Sequence, residues 1–226
     1  MIDIRADFKS LIGDWGLITS RPGETRCDNG ALFTTEYYLC LKRHKQILPS
    51  DIDNFQNLLN QLMIQPGMTL RQPGYIAIDS PDNLIAFAIA TKVFGCDFAH
   101  RILAYGKTTF PRYVLNPVNP GKFEAQAWFG RQPGLIGFLK YCSGKWVNPF
   151  EWLCLYAGII ITTRRPKEDT SDKMLTQLIV EQLPDTFIAN KIKEYWSNYV
   201  QNTYGNLNNL VRIFFPGDNP FGRWWT

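Results

Sequence analysis

An alternation of two kinds of helix constrains this chain most. Residues 31–47 open with Leu32, Phe33, Tyr37, Tyr38, Leu39, Cys40 and Leu41, apolar on nearly every side. A helix that is apolar all round belongs in an interior. Leu48-Pro49-Ser50 interrupts the run, with Ser50 expected as an N-cap. Ile52, Phe55, Leu58, Leu59 and Leu62 then recur at helical spacing among polar residues, the pattern of an outer helix. The pairing returns after Ser80-Pro81, with an apolar run from Leu84 to Ala90 and an amphipathic stretch carrying Phe98, Ile102 and Tyr105. It returns again after Asn148-Pro149: a run over 150–161 expected to be buried, then an outer helix carrying Met174, Leu175, Leu178 and Ile179. Two further helices are expected over about 185–203 and 206–215. The expected fold class is therefore all-α, built of layered antiparallel helical hairpins. With no repeat of fixed length, a regular solenoid is not expected.

Composition agrees with a packed chain. Of 226 residues, 45% are hydrophobic and 14% aromatic, enough to fill the gaps between helical layers. The expected organisation is one domain over 1–226, with a lead-in at 1–30, a helical core at 31–215 and a Trp-rich tail at 216–226. A net charge of +4, without a basic arm, gives no ground for nucleic acid as a partner. The clusters Lys42-Arg43-His44-Lys45 and Arg164-Arg165-Pro166-Lys167 fall at expected helix C-termini, where cations offset the helix dipole. Five cysteines show no metal-ligand spacing and are expected to be reduced thiols of a cytoplasmic protein, with no metal and no cofactor. No run is long enough to span a bilayer, and the N-terminus lacks the layout of a signal peptide.

The segment from Asp28 to Tyr38, DNGALFTTEYY, resembles the opening of a family of uncharacterised bacteriophage proteins. Ser80-Pro81-Asp82-Asn83-Leu84, Pro120-Gly121-Lys122-Phe123 and the stretch from Trp128 to Gly134 extend that resemblance across about residues 27–183. The layered hairpins are also similar to part of the α/α toroid of some glycoside hydrolases and polysaccharide lyases. A complete toroid needs more hairpins than this chain supplies. The phage resemblance implies synthesis in a host cytoplasm followed by a place in a virion. The toroid resemblance implies acids at helix N-termini on an open face.

No phosphate loop, nucleophile elbow or histidine pair is present. His44 and His100 are expected to be structural or solvent-facing. Candidate chemistry rests on carboxylates. Glu36 sits inside an apolar helix, where it must be protonated, as a general acid would be, or paired with an arginine such as Arg71 or Arg131. Asp79 and Asp82 flank the start of an apolar helix, as acids of a cleft or as caps. If they converge with Glu36, then Arg71, Arg131, Tyr75, Tyr113 and Trp128 complete a site suited to a glycan. Trp224 and Trp225 either fold back onto the core or dock into a partner.

Two functions follow. The leading expectation is a non-enzymatic phage structural or interaction protein, of virion or tail, assembling through helix surfaces and its Trp-rich end. The alternative is a protein that binds or cleaves bacterial surface polysaccharide in a carboxylate-lined cleft.

Overall fold

A computed structural model describes residues 3–25, 27, 29–64, 81–103, 133–167, 171–215, 217 and 219–225. Among them every regular element is a helix, as the sequence pattern requires, and the only β pairing is an isolated antiparallel bridge between Ile12 and Ile18. The chain divides into two compact units. The first comprises Met1–Ala77 with Tyr204–Thr226, and the second Ile78–Thr203. Both chain ends thus belong to one unit.

In the first unit, α1 (Ile4–Phe8) starts at Asp3, whose carboxylate accepts from the Arg5 amide. Two 3₁₀ turns follow, Lys9–Leu11 and Asp14–Gly16. Then come α2 (Gly30–Arg43) and α3 (Pro49–Ile64), packed against each other as a hairpin. Helix α2 is buried over most of its surface, and α3 buries Phe55, Leu59 and Leu62, as their patterns predict. Helix α3 starts at Pro49, two residues before the Asp51 start that a Ser50 cap implies. The Asp51 carboxylate reaches back to accept from the Leu48 amide at 2.6 Å. The lead-in belongs to the core, because Ile4, Phe8 and Leu11 are fully buried. Two helices complete the unit, α9 (Leu207–Phe214) and α10 (Phe221–Trp224). Phe221 stacks on Phe215 at 4.4 Å between ring centroids and meets Phe8 edge-on at 4.6 Å.

In the second unit, α4 (Pro81–Phe94) is buried from Leu84 to Ala90 and is followed by a helical segment over 98–103. Next come α5 (Pro133–Cys142), α6 (Pro149–Thr163), α7 (Ser171–Gln182) and α8 (Phe187–Tyr204), the last ending at the first residue of the other unit's C-terminal segment. Asn148 caps α6 reciprocally with Glu151. Helix α5 approaches α6 at two glycines. A Cβ on Gly134 would lie 2.4 Å from the Leu155 backbone nitrogen, and one on Gly137 would lie 2.8 Å from the Glu151 Cβ.

The third hairpin inverts the expected order. Helix α6 buries Glu151, Leu155, Gly158, Ile159 and Thr162 and turns Phe150, Leu153, Ala157 and Ile161 outward. Helix α7 is buried from Asp172 to Ile179. Partners for its polar groups offset the cost of burying them. Asp172 pairs with Arg165 at 3.2 Å, Lys173 Nζ donates to the Pro166 carbonyl at 2.6 Å, and Gln177 accepts from Trp196 Nε1 at 2.7 Å.

Candidate functional site

Glu36 is fully buried in the middle of α2. Arg43, two turns further along the same helix, donates through Nη1 to Glu36 Oε1 at 2.6 Å. The cation therefore comes from the basic end of α2, a position that sequence reasoning had assigned to the helix dipole alone. The same Nη1 donates to the Trp225 carbonyl at 3.2 Å, and the guanidinium lies 5.8 Å from the Trp225 ring centroid. The His44 ring contacts the Trp224 carbonyl at 3.2 Å through Nε2. Cys40 lies against Glu36 and the Trp224 carbonyl at 3.5 Å, and burial pushes its thiol well above the usual range. The two tryptophans fold back into the first unit: Trp224 is 9% exposed and Trp225 3%. Trp224 Nε1 donates to Asp7 at 2.8 Å, and Arg223 pairs with the same carboxylate at 3.0 Å. This cluster latches the C-terminal segment to α2, and its Asp7 and Arg223 also line a cavity of about 290 Å³ with Ser20, Arg21 and Asn219.

Of the other candidates, Asp82 lies in the first turn of α4, in the second unit, and is buried. Asp79, Arg71, Tyr75, Tyr113, Trp128 and Arg131 fall outside the described residues. The five cysteines are free thiols. Among the described residues no His, Cys, Asp or Glu group is arranged to hold a metal ion, and none of the described helices is long and apolar enough to cross a membrane.

Two further surfaces that the sequence did not single out stand out. The first is a groove of about 590 Å³ in the first unit, bounded by α1, the 3₁₀ turns, α2 and α3. Its polar lining comprises Arg5, Lys9, Tyr37, Tyr38, Asp51, Asn54, Asn57 and Gln61, over apolar Ile12, Ile18 and Leu58. Arg5 Nη2 donates to Asp51 at 2.5 Å and to the Gln46 carbonyl at 2.6 Å, so the carboxylate is held in an ion pair. Burial raises the Tyr37 and Tyr38 phenols above their ordinary value.

The second open surface is the outer face of α6. Phe150 is 65% exposed, Leu153 53% and Ile161 40%, and Trp146, just before the helix, is 77% exposed. No charged side chain lies on this stripe between Phe150 and Ile161. The exposed Lys145 and Arg164 flank it. A uniformly apolar helix carries no mark of which face will be outward, so only the packing of α5 and α7 revealed this one.

No protein-family model matches the chain, and neither a curated protein nor a solved structure is similar to it.

Proposed function

We propose that the chain is a non-enzymatic assembly protein that self-associates through the outer face of α6. One observation carries the reading: the most apolar helix of the second unit turns Phe150, Leu153, Ala157 and Ile161 to solvent. These positions form a single stripe, since residues three, four and seven apart share a helix face. Water is a poor solvent for such a stripe, and covering it supplies the free energy of association.

The stripe is complementary to itself. Leu153 and Ile161 stand one helical turn to either side of the small Ala157. A two-fold axis near Ala157 sets Leu153 of one copy against Ile161 of the other, with ridges four residues apart interlocking. At the crossing angle of such packing the basic ends diverge, so Lys145 and Arg164 do not oppose their counterparts. Phe150, Leu153 and Ile161, with Trp146 just before the helix, expose roughly 500 Å² per copy, and a pair would bury about 1,000 Å², the lower bound of a specific interface. Association is therefore expected to be concentration-dependent. The resemblance to bacteriophage proteins supplies the proposed setting, a virion or tail. The burial of Glu36 and its pairing with Arg43 favour this reading over a hydrolase built on that carboxylate.

Sedimentation equilibrium of the full chain tests the proposal. A monomer–dimer equilibrium is expected, weakened at least tenfold by Leu153→Glu, with the circular dichroism of the variant unchanged. A chain that stays monomeric at the highest soluble concentration overturns the reading. If that monomer co-sediments with phosphatidylcholine–phosphatidylglycerol vesicles, the stripe is instead a membrane-binding face.

A further inference from the structure

We infer that the groove of the first unit is a binding site for a neutral, hydroxyl-rich ligand of the pyranose type, which it holds without cleaving. This inference is independent of the self-association of α6. One wall is α3, where Asn54, Asn57 and Gln61 recur at three- and four-residue intervals and turn three exposed amides along the cavity. Tyr37, half-buried, and Tyr38, buried, line the same groove. None of these five side chains hydrogen-bonds to another described residue. An amide offers both a donor and an acceptor, and so does a protonated phenol. Such a set matches ligand hydroxyls, which also donate and accept. It recognises no ion, because its groups carry no charge.

Ile12, Ile18 and Leu58 contribute apolar surface to the same cavity, and a sugar ring is amphipathic, with C–H faces between equatorial hydroxyls. The volume, about 590 Å³, lies in the range of small-molecule sites. The charged lining does not argue for an anion. Arg5 is committed to Asp51 and to the Gln46 carbonyl, and only the exposed Lys9 remains.

The same geometry excludes acid-pair hydrolysis in this groove. Glycoside cleavage of that kind needs two carboxyl groups flanking the scissile bond. Asp51 is the one carboxylate in the lining, and it is engaged by Arg5 and by the Leu48 amide. The buried Glu36 does not line the cavity. The groove binds and releases.

The test uses the full chain and three neutral probes: maltotriose, cellotriose and N,N′-diacetylchitobiose. Saturation-transfer NMR and titration would report binding, and a reducing-end assay would report cleavage. Ring protons of at least one probe are expected to saturate. Tyr37→Phe, which removes only the hydroxyl, and Asn57→Leu, which removes only the amide, are each expected to weaken binding about fivefold or more. Asn208→Leu, an exposed amide of α9 outside the groove, should change nothing. Failure of all three probes to bind overturns the inference, as does binding unaffected by both groove variants. Displacement by a sulfated oligosaccharide with steep salt dependence would make this an anion site and overturn the neutral class. New reducing ends would overturn the non-catalytic reading.

Discussion

At the scale of the residue, Glu36 is held by a cation from its own helix. A carboxylate with no exposure to water is destabilising unless a counter-charge or hydrogen bonds replace its hydration. Arg43 supplies that charge and also binds the Trp225 carbonyl, so one guanidinium joins the interior of α2 to the C-terminal segment. Glu36→Gln is accordingly expected to destabilise the protein by about 3 kcal/mol, read as a shift of the urea midpoint at constant slope. A stability equal to or above the parent's would show that the pair is not structural and would reopen the acid reading. The need for a partner was legible in the sequence, because Glu36 interrupts an apolar run. That Arg43 serves as a partner was not. Arg43 lies seven residues on, and at that distance only the rotamers in the folded helix bring guanidinium and carboxylate together. Lys173 shows the converse. Nothing in its neighbourhood marks it for burial, yet it is fully enclosed with its ammonium on the Pro166 carbonyl.

At the scale of the element, the approach of α5 to α6 decides which surface the second unit leaves open. Gly134 and Gly137 let α5 sit close to the backbone of α6 on the side of Glu151, Leu155 and Gly158. Lys140 of α5 pairs with Glu151 on that same side, fixing the rotation of α6 about its axis. The opposite face, with Phe150, Leu153 and Ile161, is then left outward. Gly134→Ala would force a methyl group to within 2.4 Å of the Leu155 nitrogen, where backbone cannot yield. A loss of about 3 kcal/mol is expected, with thermal unfolding as the measurement. Gly222→Ala in α10, whose nearest neighbour would be 4.0 Å away, is the control and should stay near neutral. Equal stability of the two variants would show that the glycine contact does not set the packing. Helix positions and the Asn148 cap were readable from periodicity and capping residues. The exchange of inner and outer roles between α6 and α7 was not, because hydrophobicity reports which helices can be buried and leaves open which face is covered.

At the scale of the whole molecule, the chain ends are structural. Phe221, Trp224 and Trp225 pack in the unit that also contains α1, and Asp7 binds both Arg223 and the Trp224 indole. Deleting residues 221–226 is expected to abolish cooperative unfolding of this unit and to collapse the near-ultraviolet circular dichroism. A truncated chain that keeps both signals would mean that the tryptophans are dispensable for folding and are free to serve a partner. The sequence by itself determined the helical class, the burial of α2 and α4, the amphipathic nature of α3 and the capping of α6. These depend on the order of residues along a single element, where a period of 3.6 residues converts sequence into faces. Tertiary structure alone decided the joining of the two chain ends in one unit, the partner of Glu36, the outward stripe of α6 and the groove beside Tyr37. The first, third and fourth depend on side chains of different elements meeting in space, and the Glu36–Arg43 pair on rotamers chosen in the folded helix, and local periodicity carries no record of either.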